Sequence, residues 1–260
     1  MAPIILKGYI ATNGINMYYE SHGEGGTPLI LIHGGGSTIY TTFGRLLPEL
    51  AKHRRVIGVE LQAHGHTEDR ELPTSFEQDA DDVAALIIAL DLGKADVLGF
   101  SNGGNTALQL AIRHPNLVNK LVAASAFYKR SGMYSWFWDF MKNAKLDFMP
   151  KPLQDAFLAI NPSKNALQAM HDRDAVRMQT FTDWPDDLLK AIEAPTLLLF
   201  GDADVMTPEH GVAMFRLISK AKLSILPGKH GEYIGEILET DSNSKIPMVT
   251  AMLIEDFLDS

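Results

Sequence analysis

The stretch Asp96–Ile112, DVLGFSNGGNTALQLAI, decides the fold. It opens as a short apolar run, passes through Gly99-Phe100-Ser101-Asn102-Gly103, and continues as a good helix former. A polar hydroxyl enclosed by glycines at a strand-to-helix junction has a mechanical meaning. The chain must reverse sharply, so the flanking residues must be small, and the serine side chain is left exposed at the tip. The helix start then offers unpaired N–H groups and partial positive charge to an anion at that serine. Read alone, the pentapeptide also fits a helix N-cap serine after a glycine turn.

Outward from this junction the chain alternates between strand and helix patterns. Lys7–Gly23 reads as a hairpin around Asn13-Gly14, a strong two-residue turn signal. Pro28–Ile32 and Arg54–Leu61 are continuous apolar runs, as in strands buried on both faces of a parallel sheet. Thr41–His53 shows helical spacing at Leu46, Leu47 and Leu50. Ser75–Gly93 is the clearest helix: Phe76, Ala80, Val83, Ile87 and Leu90 share one face, Ser75 and Gln78 form a capping box, and Gly93 follows the end. Asp79, Asp81 and Asp82 read as a solvated acidic first turn that complements the helix dipole. Strands at Lys120–Phe127, Ala194–Asp204 and Ala221–His230 and helices at Pro208–Ile218 and Ile246–Leu258 complete the alternation.

Residues 128–185 break the rhythm with short helices and carry all 3 Trp residues. Met133–Met149 is apolar on nearly every helical face, which predicts burial on more than one side. The fold class is therefore α/β: a mostly parallel sheet of about eight strands flanked by helices, residues 1–127 and 186–260, with short helices inserted at 128–185.

A serine hydroxyl needs a histidine to take its proton and a carboxylate to hold that histidine. Asp202 and Asp204 follow one strand and His230 another. Parallel strands end at one edge, so these loops can converge on Ser101. In this order Leu31–Gly36 (LIHGGG), Val59–Thr67 (VELQAHGHT), Gly99–Gly104 (GFSNGG), Leu197–Pro208 (LLLFGDADVMTP) and Leu226–Glu232 (LPGKHGE) resemble the α/β-hydrolases, of the esterase, lactonase and C–C hydrolase type with an inserted helical cap, here residues 128–185. The resemblance implies catalytic Ser101, His230 and Asp204, the last selected over Asp202 by its place three residues after the strand-ending glycine. It also implies an oxyanion hole from the N–H groups of Gly35 and Asn102, no cofactor and no metal. Glu60 and Ala63 depart from the residues many relatives carry there, Asp and Gly, in a structural loop. Substrate-pocket candidates are Phe100, Trp136, Phe137 and Met206.

The other polar residues carry plainer readings. His33 braces its loop, and His64 and His66 are structural rather than metal ligands. His22, His53, His114, His171 and His210 read as surface or loop residues. Arg173 and Arg177 read as a solvated face, with a clamp for a substrate carboxylate as the rival. A net charge of −9 without a basic tract argues against nucleic acid as partner. No run approaches the ~20 apolar residues of a membrane span. With no cysteine and no leader-like N-terminus, the expected place is the cytoplasm. The sequence is silent on oligomeric state. The reaction expected is hydrolysis of a small ester or lactone through an acyl-enzyme. C–C bond hydrolysis of a dienoic keto acid, a haloperoxidase or perhydrolase activity, and a non-catalytic binding relative are the rivals.

Overall fold

A computed structural model describes residues 3–239, 241 and 243–260. The hairpin forms as its turn signal predicts, from β1 (Ile4–Thr12) and β2 (Ile15–His22), with Asn13 and Gly14 at φ of 41° and 92°. The alternation continues with β3 (Leu29–Ile32), α1 (Ile39–Phe43), α2 (Leu47–Leu50), β4 (Val56–Val59), α3 (Phe76–Ala89), β5 (Ala95–Phe100), α4 (Asn102–Arg113) and β6 (Val118–Ala124). The insertion supplies α5 (Ser135–Lys142), α6 (Lys151–Ile160) and α7 (Lys164–Thr180). Then α8 (Asp186–Lys190), β7 (Thr196–Ala203), α9 (Pro208–Leu217), β8 (Ala221–Lys229) and α10 (Ile246–Asp259) close the chain.

The 8 strands form one sheet in the order β1-β2-β4-β3-β5-β6-β7-β8. Strand β2 runs antiparallel to β1 and β4, and all pairs from β4 to β8 are parallel. Along β5 the side chains alternate between two cores. Val97 joins Phe76, Val83 and Leu108 on one face, and Leu98 and Phe100 join Phe43, Ile254 and Phe257 on the other. Because the central strands are parallel, the loops after β3, β5, β7 and β8 all emerge at one edge, which is where a site can be assembled from distant sequence.

Three local expectations change. The Thr41–His53 pattern is two short helices, because Pro48 lacks an N–H and starts α2 afresh after Gly44 caps α1. At α3 only half the capping box forms. Ser75 accepts from Gln78 N at 3.1 Å, but the Gln78 side chain donates onward to Asp82 Oδ1 at 3.0 Å. Helix α5 buries none of its residues fully, whereas its composition predicts burial on more than one side. Its Phe137, Phe140 and Met141 line a cavity, and its Trp136 is exposed. Its Trp138 packs with Phe181 and Trp184 in a cluster with Phe76 and Phe127. Among the described residues no helix is long and apolar enough to cross a membrane.

Candidate active site

The turn after β5 is as tight as the glycines imply. Ser101 sits at φ 54° and ψ −119°, a strained conformation for a residue with a Cβ. Its N–H is held by Ala124 O at 2.9 Å, which pins the elbow to the neighbouring strand. A Cβ on Gly99 would strike the Gly103 carbonyl, and one on Gly103 would strike the carbonyls of Ile32 and His33. Gly104 is closely packed too, with the Ala124 carbonyl 2.9 Å from where its Cβ would be. These glycines are therefore demanded by backbone crossing backbone.

The turn presents Ser101 Oγ 3.1 Å from His230 Nε2, and His230 Nδ1 lies 2.7 Å from Asp204 Oδ1. With Nδ1–H donating to the carboxylate, Nε2 is free to accept the serine proton. Asp204 is buried, and its carboxylate also accepts from Val205 N at 2.6 Å and from the Ser125 hydroxyl. Burial alone would raise the Asp204 carboxyl, but His230 and these donors outweigh it and hold it below its ordinary value. Burial would lower His230, yet the charge and hydrogen bond of Asp204 raise it, with help from Glu236. Asp202, by contrast, accepts from Gly228 N at 2.9 Å and serves the turn.

Gly35 and Asn102 line the same space as Ser101. Among the described residues no acceptor is paired with the N–H of Gly35 or of Asn102. Gly35 lies against the Asn102 side chain, whose Nδ2 is 2.5 Å from where a Gly35 Cβ would be. The loop is braced by His33, which is fully buried: Leu61 N–H donates to its Nε2 at 3.0 Å, and its Nδ1–H donates to Gly34 O at 2.7 Å. Burial pushes the His33 imidazole down to about 3, so it stays neutral.

Above the serine lies a cavity of ≈ 220 Å³. Ser101, His230, Gly35 and Asn102 close one end, and Met133, Phe137, Phe140, Met141, Phe148 and Met178 give it apolar walls. Of the four pocket candidates only Phe137 lines it. Trp136 is 55% exposed, because neighbours on a helix point ~100° apart and cannot both face inward. Phe100 lies under the site instead, its ring centroid 4.8 Å from that of His230. Met206 is buried in a bridge with Met133.

Several charged residues of α3 and α7 are buried rather than solvated. Asp79 and Asp82 are fully buried; Asp79 pairs with Arg177 at 2.5 Å and Asp82 with Arg70 at 2.5 Å, while Asp81 holds Arg113 and His114. Arg177 is buried and also holds Asp174 at 2.8 Å, so it is not available as a carboxylate clamp; Arg173 pairs with Asp69. His22 and His210 are buried as well, on Glu20 and on Tyr128 N, and His64 pairs with Asp174 and His66 with Glu60. Glu60 lies beneath Gly65 and accepts from His66 N at 2.7 Å, and Ala63 adopts φ 67°, where Gly is the easier residue. The sequence reading missed Asp174 altogether. Its signal was present: Leu167, Met170, Asp174 and Arg177 recur at helical spacing, which places two charges on a buried face.

A family model described as alpha/beta hydrolase fold matches residues 27–236. The chain belongs to this family. It is a hydrolase, and curated relatives that it matches carry hydrolase names. The human "Serine hydrolase BPHL" is 29% identical over 240 residues, 86% of this chain and 80% of that protein. The "2-hydroxymuconate semialdehyde hydrolase" of Pseudomonas sp. strain CF600 is 41% identical over 117 residues, covering 44% of this chain and 41% of that protein. Among solved structures, the enol-lactonase from Burkholderia xenovorans LB400 shares the fold with a TM-score of 0.73 at 22% identity, over 97% of this hydrolase and 100% of that chain.

Proposed function

We propose that this hydrolase cleaves a small, largely apolar carboxylic ester or lactone through an acyl-enzyme, with residues 128–185 acting as a cap over the site. The carrying observation is the unbroken line from Ser101 Oγ to His230 Nε2 and from His230 Nδ1 to Asp204, at 3.1 and 2.7 Å. In this reading Ser101 attacks the carbonyl as its proton passes to Nε2. Asp204 stabilises the imidazolium that forms. The N–H groups of Gly35 and Asn102 receive the oxyanion, each such donor being worth ~3 kcal/mol in comparable sites. His230 then protonates the leaving alcohol, and in the second half-reaction takes a proton from water attacking the acyl-enzyme.

The cavity argues for the substrate class. Its ≈ 220 Å³ falls below the ~300–1,000 Å³ of pockets for drug-sized ligands, and its walls are mostly Phe and Met. C–C bond hydrolysis is the second reading, favoured by the Pseudomonas relative. A keto acid brings a carboxylate, however, and the charged group beside Gly35 and Asn102 is itself a carboxylate, Asp174. Apart from His230, the basic side chains on the cavity wall, among the described residues, are Lys145 and His171.

Labelling with a fluorophosphonate and turnover of p-nitrophenyl esters, lactones and a ring-cleavage product test this. Wild type should label and prefer the uncharged esters or lactones, and Ser101→Ala should fold but not label. Persistent labelling of Ser101→Ala places the nucleophile elsewhere, and faster turnover of the keto acid selects the second reading.

A further inference from the structure

Asp174 belongs to the insertion, yet it reaches the loop that follows β3. Its Oδ2 accepts from Gly36 N at 2.7 Å and from His64 Nε2 at 3.0 Å. Its Oδ1 accepts from Arg177 Nη2 at 2.8 Å and from Asn102 Nδ2 at 3.5 Å. The same carboxylate would lie 3.1 Å from a Cβ on Gly35. It thus fastens Gly36 on one side of Gly35 and the side chain of Asn102 on the other, while the N–H groups of Gly35 and Asn102 remain unpaired.

A carboxylate so close to a developing oxyanion would oppose it by like-charge repulsion unless its charge were offset. The surroundings supply that offset. His64 Nδ1 lies 2.9 Å from Gln62 O and Nε2 lies 3.0 Å from the Asp174 carboxylate; Gly36 N, 3.2 Å from Nε2, has that carboxylate as its nearer acceptor at 2.7 Å, so both ring nitrogens can donate. Burial would pull His64 down, but Asp174 outweighs it and raises it toward the charged form. Arg177 adds a guanidinium bonded to Asp174 and to the buried Asp79, whose own carboxyl is raised by burial. These two basic and two acidic side chains come from α3, α7 and the loop after β4, and Asp174 ties them to Gly36 after β3 and to Asn102 at the start of α4.

We propose, resting on the hydrolytic reading above, that Asp174 is a positioning residue for the oxyanion site: through it the cap holds Gly35 and Asn102 in donor geometry, so that seating the cap and assembling the two donors are one event. Binding of the ground-state ester depends on the apolar walls and changes little. Stabilisation of the tetrahedral species depends on the donors and falls when the carboxylate is lost.

The test compares wild type with Asp174→Ala and the near-isosteric Asp174→Asn, which keeps one oxygen able to accept from Gly36. The readouts are p-nitrophenyl butyrate kinetics and inhibition by an alkyl trifluoromethyl ketone, which forms a tetrahedral adduct at the serine. Asp174→Ala should lose about 10–100-fold in kcat, short of the ~10²–10³-fold for deleting a direct donor, with KM within a few-fold. Ketone affinity should weaken in parallel with kcat, and Asp174→Asn should fall between the other two. If Asp174→Ala does not fold, the same kcat and ketone loss in Asp174→Asn is the supporting result. Unchanged kcat, or a rise in KM with ketone and product acid weakened equally, overturns the proposal, since that is what a loosened cap alone produces. A wild type that takes no fluorophosphonate label overturns the hydrolytic reading and this proposal with it; a labelled wild type with unaffected variants overturns this proposal alone.

Discussion

Replacing Gly103 by alanine sets two effects of opposite sign against each other. The residue lies in the first turn of α4, where alanine is the better helix former by about 1 kcal/mol. Against that, the new methyl would sit far inside the 3.0 Å limit that real Cβ atoms essentially never cross, against the carbonyl oxygens of both Ile32 and His33. Neither obstacle is a flexible side chain. The start of α4 and the end of β3 would have to separate by roughly 1 Å to restore ordinary contact. Overpacking of this kind costs about 1–3 kcal/mol, so the net loss after the helix gain is about 0–2 kcal/mol. The catalytic effect is larger, because the same shift moves Ser101 and the Asn102 N–H away from the Gly34–Gly36 loop, and a misplacement of about 1 Å can cost ~10²-fold in rate. Gly103→Ala should therefore lose about 100-fold in kcat/KM on a p-nitrophenyl ester while urea unfolding shows only a modest fall in stability. Gly8→Ala is the control, since its Cβ would meet only the Tyr19 ring, at 3.6 Å, and it should leave both measurements nearly unchanged. A Gly103→Ala protein as active as wild type would refute the claim that backbone crowding sets the elbow.

Asp204→Asn should cut kcat by ~10³-fold or more by presenting the wrong hydrogen-bonding partner to His230, whereas Asp202→Asn should change it less than about tenfold; the reverse order would move the acid to Asp202. The acid limb of kcat/KM should lie above pH 6.5. Asp204 raises the imidazole, the unprotonated form is the base, and activity rises as pH climbs through that raised value. A limb well below pH 6 contradicts the assignment. The His64–Asp174 pair runs the opposite way in stability. A histidine raised on folding contributes fully below its unfolded value near 6.5, and the contribution is lost as pH rises through the folded value. His64→Gln should therefore flatten the alkaline fall of an unfolding curve measured against pH, and an unaltered slope there counts against the pair. Arg177→Met should cost about 3–5 kcal/mol in urea unfolding by stranding Asp79 and Asp174, with Arg177→Met/Asp79→Asn less damaged than the single variant; equal stability of the two contradicts burial of that pair.

What the sequence made legible follows from how local each signal is. The elbow at Ser101, the Asn13-Gly14 turn and the N-cap at Ser75 are dictated within a few residues, and the buried strands announce themselves as unbroken apolar runs. The side chains of Asp204 and His230 became findable once the strands were known to be parallel, because topology alone brings their loops to one edge. Asp174 and Arg177 were not findable by that route. Their partners Asp79, His64 and Gly36 lie about a hundred residues away, and a charge in a helix ordinarily means solvent. The cavity wall was misjudged for a related reason: which of Trp136 and Phe137 points inward depends on how α5 rotates on the sheet edge, and α5 is apolar almost all round.

The confinement of Trp136, Trp138 and Trp184 to the insertion and its edge gives the molecule a built-in optical reporter. Trp138 and Trp184 sit in the aromatic cluster, and Arg130 lies 3.8 Å from the Trp138 ring, so their emission is sensitive to local polarity. Intrinsic fluorescence therefore senses detachment of this one region, whereas far-ultraviolet circular dichroism averages over every helix and strand. Coincident melting by the two signals means that insertion and sheet unfold as a single cooperative unit; an earlier fluorescence transition would isolate detachment of the insertion without any engineered label.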